Sequence, residues 1–426
     1  MKNLFKSLWV NFENGKLKIP LFVFWLILVL FDSNAKGDFE IFIEASKDLF
    51  DSKNIYTAFY NQYFHYYYSV LFAVIIYPLT FLPFYCVKVI WMVCNYIFTY
   101  RILKNGALFL SLKDESNKIK FTVLFVSFLL VFALWHRNIA LAQVTIFVLF
   151  LMLESFTLIL KNHVLLPALL LAFGIDFKIM PIVCLPYLLH RGYHKVVFTS
   201  LILLLVVLLL PSIFIGLDFN LFLLHERWNL VNPNNTEHVL DVAERSFHSI
   251  TTFLSVLLVE NTNEVYALKL KRNLMDISQE ELRGVILFVR LLFVLLSFVF
   301  LRAKIFKIPP TKLDWWYEWS YIFIVIPLIF PHQQHYAFYM VLPAILYLVN
   351  FGRINYFKEK VTLKHREKYI YLAGMFLVFL LLNSHFLLGA LREYYDHYKT
   401  LTYGVFLVIT ILALCPPSKI KCALEN

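Results

Sequence analysis

The chain has 426 residues, 60% of them hydrophobic and only 16% charged, with a mean hydropathy of +0.70. A soluble domain runs nearer roughly 45–50% apolar and about 25% charged; here the apolar residues form long blocks rather than the alternating segments of about ten residues that mark a β-barrel, so a soluble enzyme and a barrel are both excluded. The net charge of +11 does not point to nucleic acid, because the Lys and Arg residues sit in short hinges between apolar blocks, as in cytoplasmic loops.

At the N-terminus Lys2, Lys6, Lys16 and Lys18 flank the apolar run IPLFVFWLILVLF, which ends at Phe31. Ser33-Asn34-Ala35 has the composition of a cleavage site, but the many apolar blocks that follow make the first one an anchor with a cytoplasmic N-terminus. Next comes GDFEIFIEASKDLF. Phe39, Phe42, Ile43, Leu49 and Phe50 recur at helical spacing among Glu40, Glu44, Lys47, Asp48 and Asp51, which predicts an amphipathic helix lying on the membrane surface. Further apolar blocks lie near 67–84, 85–100, 121–135, 139–160, 164–190, 196–216, 284–301, 319–330, 336–350, 369–388 and 401–415. With the first block they predict an all-α polytopic membrane protein of about twelve transmembrane helices. The five cysteines (Cys86, Cys94, Cys184, Cys415 and Cys422) form neither close pairs nor a metal spacing and read as small apolar residues.

Alternation from a cytoplasmic N-terminus places the hinges HRGYHK (190–195), RAKIFKIPPTK (302–312) and GRINYFKEKVTLKHREK (352–368) inside, and residues 217–283 outside as one large loop. It also places RILKNGALFLSLKDESNKIK (101–120) outside, although this hinge carries five Lys and Arg, against the positive-inside rule. Pro78 and Pro83 in one block, and Asp176, Lys178, Pro181 and Pro186 in another, resolve the conflict. Residues 67–84 dip in and return or lie along the surface, and 164–190 form two short helices with an outward turn. The hinge 101–120 then lies inside. Asp38, His136-Arg137-Asn138, Asp176, Lys178, the 217–283 loop and PHQQH (331–335) all reach the outer face. The whole chain, 1–426, reads as one integral domain in an inner (cytoplasmic) membrane. Its first outer loop is 32–66, and its termini are cytoplasmic.

Polar residues at membrane depth are costly and tend to mark function, but each has an ordinary reading too. Asp38 is a good N-cap for the helix that follows it. Lys178 can pair with Asp176, and Arg137 can snorkel to the interface. His332 and His335, with Gln333, Gln334 and Tyr336, form a dense donor cluster. As i, i+3 neighbours the two histidines could hold a metal, but no acidic residue lies near them in sequence, so phosphate or sugar binding is the expectation and no metal or cofactor is assigned. In the large loop Phe247, Ile250, Phe253, Leu254, Leu257 and Leu258 have helical spacing, while His225, Arg227, His238, Arg245 and His248 are possible acceptor contacts.

Gly37-Asp38-Phe39, the amphipathic stretch, Asn54-Ile55-Tyr56, a Tyr-rich segment, Tyr77-Pro78-Leu79 and Leu82-Pro83 together resemble the N-terminal part of glycosyltransferase family 87. These are membrane mannosyltransferases of the GT-C class that use a polyprenyl-phosphate sugar. Asn138 through Gln143-Val144 is similar to that family's Gly-Gln-x-Asn region, with Ala142 for Gly and Thr145 for Asn. Gly174 with Lys178-Ile179-Met180-Pro181 is similar to its Gly, Lys and Pro pattern. The resemblance covers most of residues 19–350. It departs at Phe247-His248-Ser249, where the family often has Asn-Gln-Ser, and at Phe330-Pro331-His332, where it often has Ser-Pro followed by Trp and His.

The resemblance implies a GT-C-type fold with its active site on the outer face and Asp38 as the base that takes a proton from the acceptor hydroxyl. Arg137, Asn138, Gln143, Lys178, His332 and His335 are then candidates for the donor phosphate or sugar. Glu40, Tyr56, Arg245 and His248 are candidates for the acceptor. The implied partners are a polyprenyl-phosphate sugar, a glycolipid or glycan acceptor and the bilayer. Two other readings stay open: a polysaccharide polymerase or O-antigen-ligase-like enzyme, which relies on Arg and His of its large loop, and a lipid or sugar transporter. The transporter is the weaker, because no inverted repeat or matched pair of broken helices is visible.

Overall fold

The computed structural model describes residues 18–33, 37–61, 64–112, 115–232, 239–262, 264, 267–357 and 365–420; Lys2, Lys6, Lys16, Asn34, Ala35, His238 and Cys422 lie outside them. The regular elements are helical. In chain order they are α1 (Lys18–Ser33), α2 (Phe39–Phe50), α3 (Val70–Ile76), α4 (Phe84–Phe109), α5 (Asn117–Leu130), α6 (Phe132–Ala140), α7 (Thr145–Ile159), α8 (Leu165–Phe177), α9 (Cys184–His190), α10 (His194–Leu209), α11 (Leu217–Val231), α12 (Ile250–Leu258), α13 (Gln279–Phe300), α14 (Lys312–Ile329), α15 (Leu342–Gly352), α16 (His365–Leu387), α17 (Arg392–His397) and α18 (Thr400–Leu414). Among the described residues five helices are long and apolar enough to cross a membrane, and up to seven if each of two bent pairs, α5 with α6 (68°) and the α17 region with α18 (74°), is one span. The remaining apolar blocks of the sequence fold as shorter helices, among them α7, α8 and Met180–His190. On α13, Leu287, Phe288, Leu291, Leu295 and Phe298 are exposed, as side chains that meet lipid rather than protein must be.

α2 is amphipathic, but its apolar side does not lie against lipid. Phe39, Phe42, Ala45 and Leu49 are buried against the bundle, with the Phe42 ring 4.7 Å from Tyr68 and the Phe39 ring 5.9 Å from Trp91. Ser46 Oγ donates to Ala73 O at 2.7 Å, which docks α2 on α3. α12 is likewise buried by its neighbours through Ile250, Thr252, Phe253 and Val256. The apolar block 164–190 is broken, as its Asp, Lys and Pro residues predict: α8 stops at Phe177, Lys178 has extended backbone, and a 3-10 turn at Met180–Val183 leads into α9.

The two ends of the bundle are built differently. At one end Arg191, fully buried, binds Glu318 through two nitrogens, Nε to Oε2 at 3.0 Å and the terminal nitrogen to Oε1 at 2.6 Å. Tyr187 Oη and Arg302 N also donate to Glu318, at 2.7 and 2.6 Å, and the other Arg191 terminal nitrogen donates to the carbonyls of Ala303, Lys304 and Lys307. The hinges 190–195 and 302–312 are thus clamped to the start of α14. The hinge 101–120 meets the hinge 352–368 through Glu115 and Arg353, 2.8 Å apart, as expected if both lie on one side. The opposite end, beyond the C-terminus of α14, collects the first loop, the turn after α6, Lys178 and residues 331–335.

Two turns at that end need left-handed backbone. Gly37 has φ +60°, and a Cβ there would meet Leu141 Cα at 3.4 Å. Ala142 has φ +53°, a conformation that costs a non-glycine residue roughly 1–2 kcal/mol. Ala142→Gly is therefore expected to raise stability by about 1 kcal/mol, read as a higher thermal midpoint in detergent. Glu318→Ala leaves Arg191 buried and unpaired and is expected to cost about 3–5 kcal/mol in the same measurement; an unchanged midpoint would show that the clamp does not hold the hinges.

Candidate active site

Asp38 stands at the N-cap position of α2 but does not cap it. Its φ and ψ are −69° and −12°, already helical, and its carboxylate makes no bond to the first-turn amides. A capping side chain requires the extended backbone of a true cap residue, so the capping expectation is corrected. The carboxylate instead accepts a hydrogen bond from Gln143 Nε2. Gln143 Oε1 accepts from Tyr68 Oη at 2.8 Å, so both ends of the amide are held. The Tyr-rich segment is held in turn. Tyr56 Oη donates to Tyr68 O at 2.9 Å and Tyr66 Oη donates to Ser69 O at 2.8 Å. Asn54, beside them, donates to Glu226 Oε2 on α11 at 2.8 Å.

Burial pushes the Asp38 carboxyl up to about 6, against the opposing pull of Arg137, the Gln143 hydrogen bond and Lys178. The group thus titrates near neutrality, in the range that suits a general base. The two cations are close enough for their charge to act on Asp38, yet neither is joined to it by an ion pair. Lys178 does not pair with Asp176, which faces Arg227 at 3.4 Å instead. Its Nζ lies 5.5 Å from the centre of the Tyr336 ring, and among the described residues it has no hydrogen-bonding partner. Arg137 Nε is buried without a hydrogen bond. A second carboxyl, Glu244, is pushed up to about 7 by burial and by the Asp38 charge, and it accepts from Gln334 Nε2 at 2.8 Å.

The other candidates divide into supports and neighbours. Asn138 is fully buried and donates to Leu134 O and to Tyr336 O at 2.9 and 2.8 Å, which fixes α6 against the segment carrying Tyr336. His332 Nδ1 lies 2.5 Å from Asp241 Oδ1. Burial opposes both charges, but the contact wins: the Asp241 carboxyl falls below its usual range and the His332 imidazole rises above its own. Asp241 also accepts from Ser249 and Thr252 at 2.9 and 2.8 Å, tying the large loop to residues 331–335. Glu40 is half-buried on the first turn of α2. Arg245 is held by Glu393 at 3.2 Å and Asp396 at 3.5 Å. His248 and His335 are buried side by side, ring centres 5.0 Å apart. His225 is exposed on α11.

Tyr68, Asp241, Glu244 and Asp396 were not singled out by sequence. Tyr68 lies in the run HYYY, whose composition marks the segment but not the residue. Asp396 follows the last motif by some distance and reaches the site only because α17 folds back over residues 245–248.

The family model described as glycosyltransferase family 87 matches residues 66–313, more than half of the chain. The match takes in Tyr68, Arg137, Gln143, Lys178 and the large loop, while Asp38 lies before it and His332 and His335 after it. Among curated proteins, none matches. A helical bundle with apolar, lipid-length helices and a matched family model leads to one conclusion: the chain belongs to glycosyltransferase family 87 and is a membrane glycosyltransferase.

Proposed function

We propose that the protein transfers a hexose, mannose foremost, from a polyprenyl-phosphate donor to a glycolipid or glycan acceptor at the outer face of an inner membrane, with Asp38 as the base. The observation that carries this reading is a carboxylate held by a neutral amide, within electrostatic reach of Arg137 and Lys178, both without ion-pair partners among the described residues. The acceptor hydroxyl gives its proton to Asp38 as its oxygen attacks the anomeric carbon. The bond from that carbon to the phosphate oxygen breaks, and the lipid phosphate departs with the electron pair. Direct displacement inverts the anomeric centre. The extra negative charge on the departing phosphate meets Lys178 and Arg137, and a guanidinium suits phosphate oxygens bidentately. Gln143 fixes the carboxylate, and Tyr68 and Asn138 fix the groups around it. The large-loop residue Arg245 is taken up by Glu393 and Asp396 of α17, which favours this reading over a polymerase or ligase that works through a loop Arg.

The test uses membranes supplied with radiolabelled polyprenyl-phosphate-mannose. Asp38→Asn keeps the contact to Gln143 but removes the base, and transfer is expected to fall roughly 10²–10⁴-fold. A raised folded-state pKa means that the proton is kept to about 6 in the folded chain and lost near 3.8 in the unfolded one, so stability declines as pH rises between these values and the ionised site destabilises the fold at neutral pH. The inactive Asp38→Asn protein is therefore expected to unfold at a higher temperature than wild type, which separates lost chemistry from lost folding. In wild type kcat/KM is expected to fall about tenfold per unit as pH drops below about 6; an acid limb near 4 removes the effect of burial on the carboxyl, and equal transfer by wild type and Asp38→Asn removes Asp38 from the base role. Lys178→Met, which deletes the cation and keeps the stem, is expected to lower kcat by roughly 10²–10³-fold; a change in KM alone would make Lys178 a binding residue only.

A further inference from the structure

The expectation against a metal rested on the absence of an acidic residue near His335 in the sequence. The fold supplies one. α17 places Asp396 Oδ1 3.3 Å from His335 Nε2 and 3.5 Å from His248 Nε2. The three ligand atoms that these residues offer lie within 4.8 Å of one another. His335, His248 and Asp396 are 3%, 0% and 4% exposed. Among the described residues both nitrogens of both rings, and Asp396 Oδ1, make no hydrogen bond. Three of these buried polar atoms, one from each residue, converge without hydrogen-bonding partners among the described residues, a desolvation cost that a native fold rarely tolerates unless something satisfies them.

We infer that His248, His335 and Asp396 form a binding site for one divalent transition-metal ion, zinc foremost. The distances fit. Ligands about 2.0–2.1 Å from a tetrahedral zinc stand about 3.3 Å from one another, close to the two imidazole–carboxylate separations. Two imidazoles and one carboxylate, with a fourth position left over, is a zinc donor set; magnesium and calcium prefer oxygen ligands throughout. The surroundings orient the carboxylate and one of the histidines. Asp396 Oδ2, the oxygen turned away, faces Arg245 Nε at 3.5 Å and His385 Nε2 at 3.9 Å, so Oδ1 is the oxygen presented. His248 is anchored through its backbone, its N–H donating to Gln333 O at 2.8 Å and its carbonyl accepting from Thr402 Oγ1 at 2.8 Å. Arg137 acts electrostatically on Asp396 as well as on Asp38, so the ion would lie within electrostatic reach of the same guanidinium as the proposed base. The inference holds whichever lipid sugar is the donor.

The test uses full-length protein purified without a polyhistidine tag, stripped with chelator, then given Zn²⁺ or Co²⁺ alone and desalted. Wild type is expected to retain about one zinc per chain by mass spectrometry and, with Co²⁺, to show the visible absorption of a low-coordinate His/carboxylate site. His335→Gln and Asp396→Asn are each expected to lose at least nine-tenths of that metal, while His225→Gln, on the exposed face of α11, retains it. Wild type that holds no zinc above the chelated blank and shows no cobalt spectrum overturns the inference without recourse to variants, as does equal retention by His335→Gln and Asp396→Asn. If the two variants do not fold, the wild-type stoichiometry and cobalt spectrum decide.

Discussion

The hydrogen bond from Gln143 to Asp38 is the contact on which the candidate site at one end of this bundle depends. One amide joins three stretches distant in sequence: the loop after α1, the tyrosine-rich segment and the turn after α6. Because the donor is neutral, it orients the carboxylate without lowering its basicity as far as a direct guanidinium pair would. Burial then dominates, and the carboxyl stays poised at about 6. Arg137 and Lys178 contribute at a distance, which leaves their own hydrogen bonds available to an anion.

The two ends of the bundle differ in how their buried polar groups are satisfied. Around Glu318 each oxygen is matched by donors from Arg191, Tyr187 and Arg302. A saturated buried ion pair of this kind specifies geometry and offers nothing to a ligand. At the other end Arg137 Nε, Asn138 Oδ1, His248, His335 and Asp396 Oδ1 include buried atoms without hydrogen-bonding partners among the described residues. Such atoms raise the energy of the protein alone and become favourable only when a substrate, ion or water meets them.

Broken helices deliver those atoms. Lys178 reaches the site because α8 stops there and the backbone turns extended. α6 bends 68° from α5, and the left-handed Ala142 turns the chain so that Gln143 points back at Asp38. A continuous helix would carry each polar side chain past the site along its own face, and in a membrane the freed backbone groups are tolerated only where neighbouring protein covers them.

The sequence by itself determined the helical membrane class, the break at Lys178, the basic hinges and, through short ordered motifs, the family and the candidates Asp38, Arg137, Gln143 and Lys178. These are local properties: apolar run length, proline position, charge placement and residue order survive without contacts. Only the tertiary structure decided that Asp38 binds Gln143 rather than capping α2, that Asp176 faces Arg227 rather than Lys178, that α2 rests on protein instead of lipid, and that Asp396 meets His248 and His335. Each of these depends on which elements pack together across long stretches of chain, such as the 105 positions between Asp38 and Gln143. Periodicity and spacing report on a residue's own helix, whereas the partner of a buried polar atom is set by the packing of other helices around it.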